Sequence, residues 1–196
     1  ATREGWIIRF NEKTGSQKKW INTKGSPLGL VFDASNNLVI ADAEKGLLQV
    51  TPEGVITVLT RSVDGTDIDY ADDLDITADG KIYFSDASTK FGAQMGGTYA
   101  ASLLDTMEHG GHGRLLVYDP EDKSTRILME NLNFANGVAT DTNSEFVLVN
   151  ETGSYRIHKY WLKGEKQGKS EIVIDNLPGF PDNVVRGKNG RFWVGL

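Results

Sequence analysis

The sequence predicts an all-β protein, a β-propeller of four-stranded blades, and three observations carry that expectation. The first is a recurring unit: PLGLVFDASNNLVIAD (27–42), ADDLDITADGKIYFSD (71–86), ANGVATDTNSEFVLVN (135–150) and PDNVVRGKNGRFWVGL (181–196). Each has a small-residue start, a short alternating run, a turn of Asp, Asn, Ser or Gly, and a β-branched or aromatic run. The starts at 27, 71, 135 and 181 are 44, 64 and 46 residues apart, and about 40–50 residues is the period of a propeller blade. The second observation is that the intervening segments read as strand pairs around a turn. GLLQVTPEG (46–54) with VITVLT (55–60) is one, GRLLVYDPEDKSTRILM (113–129) and YRIHKYWLKGEKQGKSEIVI (155–174) are two more, and GWIIRFNEKTGSQKKWI (5–21) opens the chain. The third is composition: 22 glycines in 196 residues suit short strands and tight turns, and only AASLLDTMEH (100–109) has a faint helical period.

In propeller order these elements are the outer two strands of one blade, three whole blades and the inner two strands of another, all in a single domain spanning 1–196. The long spacing between the second and third units places an insertion at 87–113, whose apolar residues suit a lid or specificity loop. Alternation within the runs is weak, Leu115 and Val117 against Leu116 and Tyr118, because both faces of a blade pack on neighbouring blades. The strand count leaves two expectations. Either the chain is a piece, about four blades' worth, of a larger propeller, or 181–196 pairs with 5–21 and closes a four-bladed ring. A first residue that is Ala rather than Met favours the piece.

A net charge of −6 argues against binding nucleic acid through its phosphates. No apolar run approaches the ~18 residues of a membrane span, and with no cysteine neither disulfides nor thiolate metal sites arise. Localisation is not written in the sequence.

The second residue of each unit enters the innermost strand near the central channel. Those residues are Leu28, Asp72, Asn136 and Asp182. Three of the four carry a short oxygen-bearing side chain, and oxygens converging from separate blades suit Ca²⁺. Any one of them alone would read as turn chemistry, but the turn slot of the repeat is filled elsewhere, by Asp79-Gly80 and Asn189-Gly190. His109, His112 and His158 show no zinc or copper spacing. The acidic run DGTDIDYADD (64–73), apart from Asp72 and Asp73, reads as a solvated loop, and Glu151 as a partner of Arg156 or of backbone.

FANGVATDTNSEFVLVNETGSYRIHKYWLKG (134–164) followed by NLPGFPDNV (176–184) resembles the strictosidine synthase-like branch of the six-bladed calcium propellers, in particular its adipocyte plasma membrane-associated type. SPLGLVFDASNNLVIADAEKGLL, DDLDITADGKIYFSDAS and HGRLLVYDP match the same branch in the same order. The wider group includes senescence marker protein/gluconolactonase and the paraoxonases. The resemblance implies a six-bladed parent whose hydrolytic members hold a channel calcium against an ester, lactone or phosphoester oxygen. It puts metal ligands at Asn136 and Asp182, an extra donor at Asn183, and a ligand at Asp72, where the family's usual Asn is replaced by Asp. The family's fourth ligand, a Glu on the first inner strand, has no counterpart in these residues.

The function expected is a calcium-dependent hydrolase of the lactonase/arylesterase kind acting on a small-molecule ester or lactone. Asp72, Asn136, Asp182 and Asn183 would hold the metal, and Asp73 or His112 would transfer the proton. Two rivals stand beside it: a metal-free strictosidine synthase-like condensing or lyase enzyme, and a non-catalytic propeller that binds a partner through its top loops, since propellers host unrelated functions.

Overall fold

The computed structural model describes residues 1–196. Eighteen strands, one α-helix and one 3-10 turn at Thr152–Ser154 follow in order. Strands β1 (Trp6–Phe10) and β2 (Gln17–Asn22) pair as a two-stranded sheet. The first whole blade is β3 (Pro27–Phe32), β4 (Leu38–Asp42), β5 (Gly46–Val50) and β6 (Ile56–Thr60). After the short hairpin β7 (Ser62–Val63) and β8 (Thr66–Asp67), the second blade holds β9 (Ala71–Ile76), β10 (Ile82–Asp86), β11 (Gly113–Asp119) and β12 (Ser124–Leu132). Helix α1 (Thr98–Glu108) lies between β10 and β11. The third blade is β13 (Ala135–Thr140), β14 (Phe146–Glu151), β15 (Arg156–Trp161) and β16 (Ser170–Ile174), and β17 (Val184–Arg186) pairs with β18 (Phe192–Val194). All pairings are antiparallel between chain neighbours, and the inner strands β3, β9, β13 and β17 stand side by side. The first and last pairs are separate sheets, so the four-bladed ring does not form.

One hydrophobic core fills each space between sheets. Val39, Leu47, Phe84 and Leu116 pack the first blade on the second, and Tyr83, Leu115, Val138 and Val147 pack the second on the third. Neighbouring residues of one strand thus belong to different cores. Leu115 and Val117 face the third blade while Leu116 and Tyr118 face the first, which is why the sequence shows no polar face.

Two details differ from the sequence reading. Residues 62–67 are a hairpin turning at Asp64 and Gly65, both at positive φ (50° and 77°), and Val63 and Ile68 anchor it in the first inter-blade core. The faint helical period at 100–109 is an ordered helix, ended by His109 in the left-handed region at φ 55°. Ala101 docks α1 on Ala93 and Phe134, and the Tyr70 hydroxyl donates to the Thr98 carbonyl at 2.8 Å. The 87–113 insertion is therefore fixed over the ends of the inner strands.

The repeat is also tighter in space than in sequence. Pro27 sits opposite Asp42, Ala71 opposite Asp86 and Ala135 opposite Glu151. The third unit has one extra residue in its turn, Thr140 pairing Val147 where Phe32 pairs Leu38 and Ile76 pairs Ile82. Glu151, not Asn150, is thus the counterpart of Asp42 and Asp86. Each of these carboxylates accepts a backbone N–H at the start of its own inner strand: Ser26 at 2.9 Å, Tyr70 at 3.1 Å and Asn133 at 2.9 Å.

Candidate functional site

The second residues of the four units, Leu28, Asp72, Asn136 and Asp182, all line one cavity of about 510 Å³ at the ends of the inner strands. Each inner strand presents its second side chain to the axis and its third to the next blade. The third residues are Gly29, Asp73, Gly137 and Asn183. The glycines are there because the neighbour is too close: a Cβ on Gly137 would stand 2.5 Å from the Asp182 carbonyl oxygen.

Asn136 is buried, and its side-chain carbonyl oxygen Oδ1 has no hydrogen-bond partner. A stranded buried acceptor costs about 1–3 kcal/mol, and this one belongs to a residue of the cavity wall. Asp72 is half-buried on the same wall, and Asp182 is exposed on its far side. Burial pushes the Asp72 carboxyl well above the usual carboxylate range, and the charges of Asp73 and Asp182 push it further the same way. Two carboxylates and one unpartnered amide oxygen are a hard-oxygen donor set, the kind that suits Ca²⁺. No group of three His, Asp or Glu side chains placed to hold a metal ion occurs in the chain.

Asn183, Asp73 and His112 are not brought to this cavity. The Asp73 carboxylate Oδ2 accepts the Val138 N–H of the next blade at 3.0 Å and meets the Asn183 side chain. Burial raises it to about 6. Asp73 lines a separate channel cavity of about 240 Å³ with Asp75, Val138 and Arg186. His112 sits edge-on to Phe91, with Nε2 3.5 Å from Glu108 Oε1. The positions expected for proton transfer thus hold an inter-blade tie and a helix-end contact. Glu151 meets the sequence expectation: its carboxylate pairs with Arg156 at 2.5 Å.

Sequence reasoning missed the aromatic collar. Tyr70, Phe134 and Phe180 lie two residues before Asp72, Asn136 and Asp182, and all three line the cavity. Tyr70 and Phe134 meet edge to face at 5.4 Å. The signal was present as YADD, FANG and FPDN, in register just ahead of each unit. Helix α1 closes the side wall with Thr98, Tyr99, Ser102, Leu103 and Thr106.

Fold and cavity define a β-propeller with a polar central site. Its backbone is similar to the gluconolactonase XC5397 of Xanthomonas campestris, with TM-score 0.78 and 17% identity, covering 97% of this chain and 62% of that one. It is also similar to regucalcin, a calcium-binding protein of Agrobacterium tumefaciens, with TM-score 0.73 and 16% identity over 97% and 60%. The family model described as Strictosidine synthase matches residues 72–165. Among relatives, Protein STRICTOSIDINE SYNTHASE-LIKE 13 of Arabidopsis thaliana is 44% identical over 185 residues, 92% of this chain and 44% of that protein. The adipocyte plasma membrane-associated protein of Salmo salar is 40% identical over 88% of this chain and 41% of its own length. The chain belongs to the strictosidine synthase-like family. It spans less than half the length of these two relatives.

Proposed function

We propose that the protein is a calcium-dependent hydrolase of the lactonase/arylesterase kind, with its metal in the central channel of a six-bladed propeller. The observation that carries this reading is the cavity that Asp72, Asn136 and Asp182 line together, with the Oδ1 of buried Asn136 left without a partner. Asp72, Asn136 and Asp182 would hold the ion, which when bound polarises an ester or lactone carbonyl. Asp72 in place of the family's usual Asn adds a negative charge to the donor set and favours a cation over a neutral ligand. Tyr70, Phe134 and Phe180 give the cavity apolar surface against which the carbon skeleton of the substrate would pack, leaving the polar end open to the attacking water. Thr98, Ser102 and Leu103 of α1 line the wall along which the substrate's remaining length would lie. Asp73 instead ties the second blade to the third by accepting the Val138 N–H, and Asn183, outside the cavity lining, would be a further donor only at its edge. The fold neighbours named for gluconolactonase and for calcium binding support the reading at the level of scaffold.

The test is calorimetric calcium titration of the full-length protein against Asp182→Ala and Asn136→Ala. Both variants should weaken binding at least about tenfold, and unchanged affinity in both overturns the metal assignment. The likeness to strictosidine synthase-like relatives favours a second reading, a metal-free condensing or lyase activity in the same cavity. Turnover that persists in excess chelator selects it.

A further inference from the structure

Asn136 and Asp182 belong to different blades; their strands meet directly where the Gly137 N–H donates to the Asp182 carbonyl at 3.0 Å, and side chains from the end of β14 add to that tie. The tripeptide Asn150-Glu151-Thr152 leaves the end of β14 and touches the start of both. The Thr152 N–H donates to the Phe134 carbonyl at 3.0 Å, and Glu151 Oε1 accepts the Asn133 N–H at 2.9 Å. Those two bonds hold the start of the strand that carries Asn136. On the other side, Thr152 Oγ1 donates to the Pro181 carbonyl at 2.8 Å, and Asn150 Nδ2 donates to the Asp182 carbonyl at 2.7 Å.

The other blades lack the second half of this arrangement. At the equivalent places Ala43 donates to Ser26 and Ala87 to Tyr70, both at the start of their own inner strands, and alanine has no side-chain donor to send across. In the third unit this slot holds Thr in place of Ala. Asn150 is fully buried, yet its Oδ1 has no partner. Only its donor end is used. An Asp there, the residue type that ends the first two units in sequence, would set a carboxylate against a carbonyl oxygen.

We propose that Asn150-Glu151-Thr152 is a bracket that fixes the spacing between Asn136 and Asp182, with Thr152 and Asn150 as positioning residues acting on the Pro181-Asp182 main chain. Thr152 also lines the cavity, so the bracket is part of the wall it sets. The structural half stands on these hydrogen bonds alone. The functional half rests on the reading that Asn136 and Asp182 share a cation.

The experiment compares full-length wild type with Thr152→Val, Thr152→Ser and Asn150→Asp by two readouts. Hydrogen exchange of a peptide covering residues 178–186 reports the main chain without any metal. Terbium luminescence titration, with Tb³⁺ as the calcium probe, reports the donor set. Val at 152 and Asp at 150 each remove one donor while keeping shape. Exchange of 178–186 should therefore accelerate in both, and terbium affinity should fall roughly tenfold, because the two oxygens are then less well preorganised for one ion. Ser at 152 keeps the hydroxyl and should restore both values. Unchanged exchange in Thr152→Val and Asn150→Asp overturns the bracket. Faster exchange with unaltered terbium affinity overturns its role in spacing the ligands. Faster exchange in a protein whose wild type binds no terbium supports the bracket and sinks the metal reading alone.

Discussion

Glu151 is the most heavily bonded buried charge in the chain, and replacing it by Gln gives a prediction with a worked size. Its carboxylate takes hydrogen bonds from Arg156 Nε at 2.5 Å and Nη2 at 3.0 Å, shares one with His158 Nε2 at 2.5 Å, and accepts from Ser154 Oγ and Asn133 N at 2.9 Å. It is 1% exposed. Burial pushes its proton affinity up, but the bonds from His158, Arg156, Asn133 and Ser154 together overwhelm burial and hold the carboxyl at about 2, against 4.5 when free. At ~1.4 kcal/mol per pH unit, that depression is worth about 3 kcal/mol to the folded state. Removing one member of a buried pair costs about 3–5 kcal/mol, so the two routes agree. The folded chain binds this proton less tightly than the unfolded one. The contribution is therefore complete above the free value and lost as pH falls through about 2. Urea denaturation of wild type and Glu151→Gln should show a gap of about 3 kcal/mol near neutrality. The gap should close progressively in acid, as the wild-type carboxyl is protonated and comes to resemble the amide. A gap that is the same at neutral pH and in strong acid, or one below about 1 kcal/mol at neutrality, refutes the reasoning.

Three further outcomes follow from the same geometry. Arg114→Met strands Asp86, which is fully buried and paired to Arg114 Nη2 at 2.5 Å. It should cost about 3–5 kcal/mol in a denaturant melt and free the β7–β8 hairpin, whose Asp67 carbonyl shares the guanidinium at 2.9 Å. Gly137→Ala drives a Cβ against the Asp182 carbonyl oxygen; it should lower stability by about 1–3 kcal/mol and weaken calcium binding in the same titration. Leu103→Asp puts a charge on the α1 wall of the cavity. It should raise KM for an apolar aryl ester by about tenfold with kcat changed much less, whereas an equal fall in kcat would place α1 at the chemistry rather than along the substrate.

How much of this was legible depended on whether a property repeats. Blade order, strand pairs and the four inner-strand starts follow from a period in the residues themselves, and the inner strands begin in β3, β9 and β13 where the units do. Helix α1 does not repeat. Its hold comes from contacts made elsewhere, Ala101 on Phe134 and the Tyr70 hydroxyl on Thr98, so a local period could only hint at it. The hairpin at 62–67 is similarly fixed by Val63 and Ile68 reaching the core, while its Asp-Gly turn is what made the segment read as loop. The position of Glu151 was obscured because the third unit is one residue longer at its turn, and an ungapped comparison of units sets Asn150 in the place that Glu151 fills.

The site shows the same division more sharply. A repeat fixes how far along a strand a residue lies, so Asp72, Asn136 and Asp182 were found together and do share a cavity. It does not say which way the next residue turns. On a strand one step reverses the side chain, and in a propeller both directions are covered, each by a neighbouring blade, with only the strand's first residues reaching the axis. Asp73 and Asp72 are therefore equally acidic in sequence and opposite in space: Asp73 meets the Val138 N–H of the next blade, as Asp75 meets Thr140 two residues on. The pattern of third residues, Gly29, Asp73, Gly137 and Asn183, carries the clue. Where a blade leaves no room the residue is glycine, and where it leaves a gap the residue is a polar side chain that bridges it. A position that alternates between glycine and a polar side chain answers to the spacing of backbones, and one that holds an oxygen in three units out of four answers to the cavity those oxygens share.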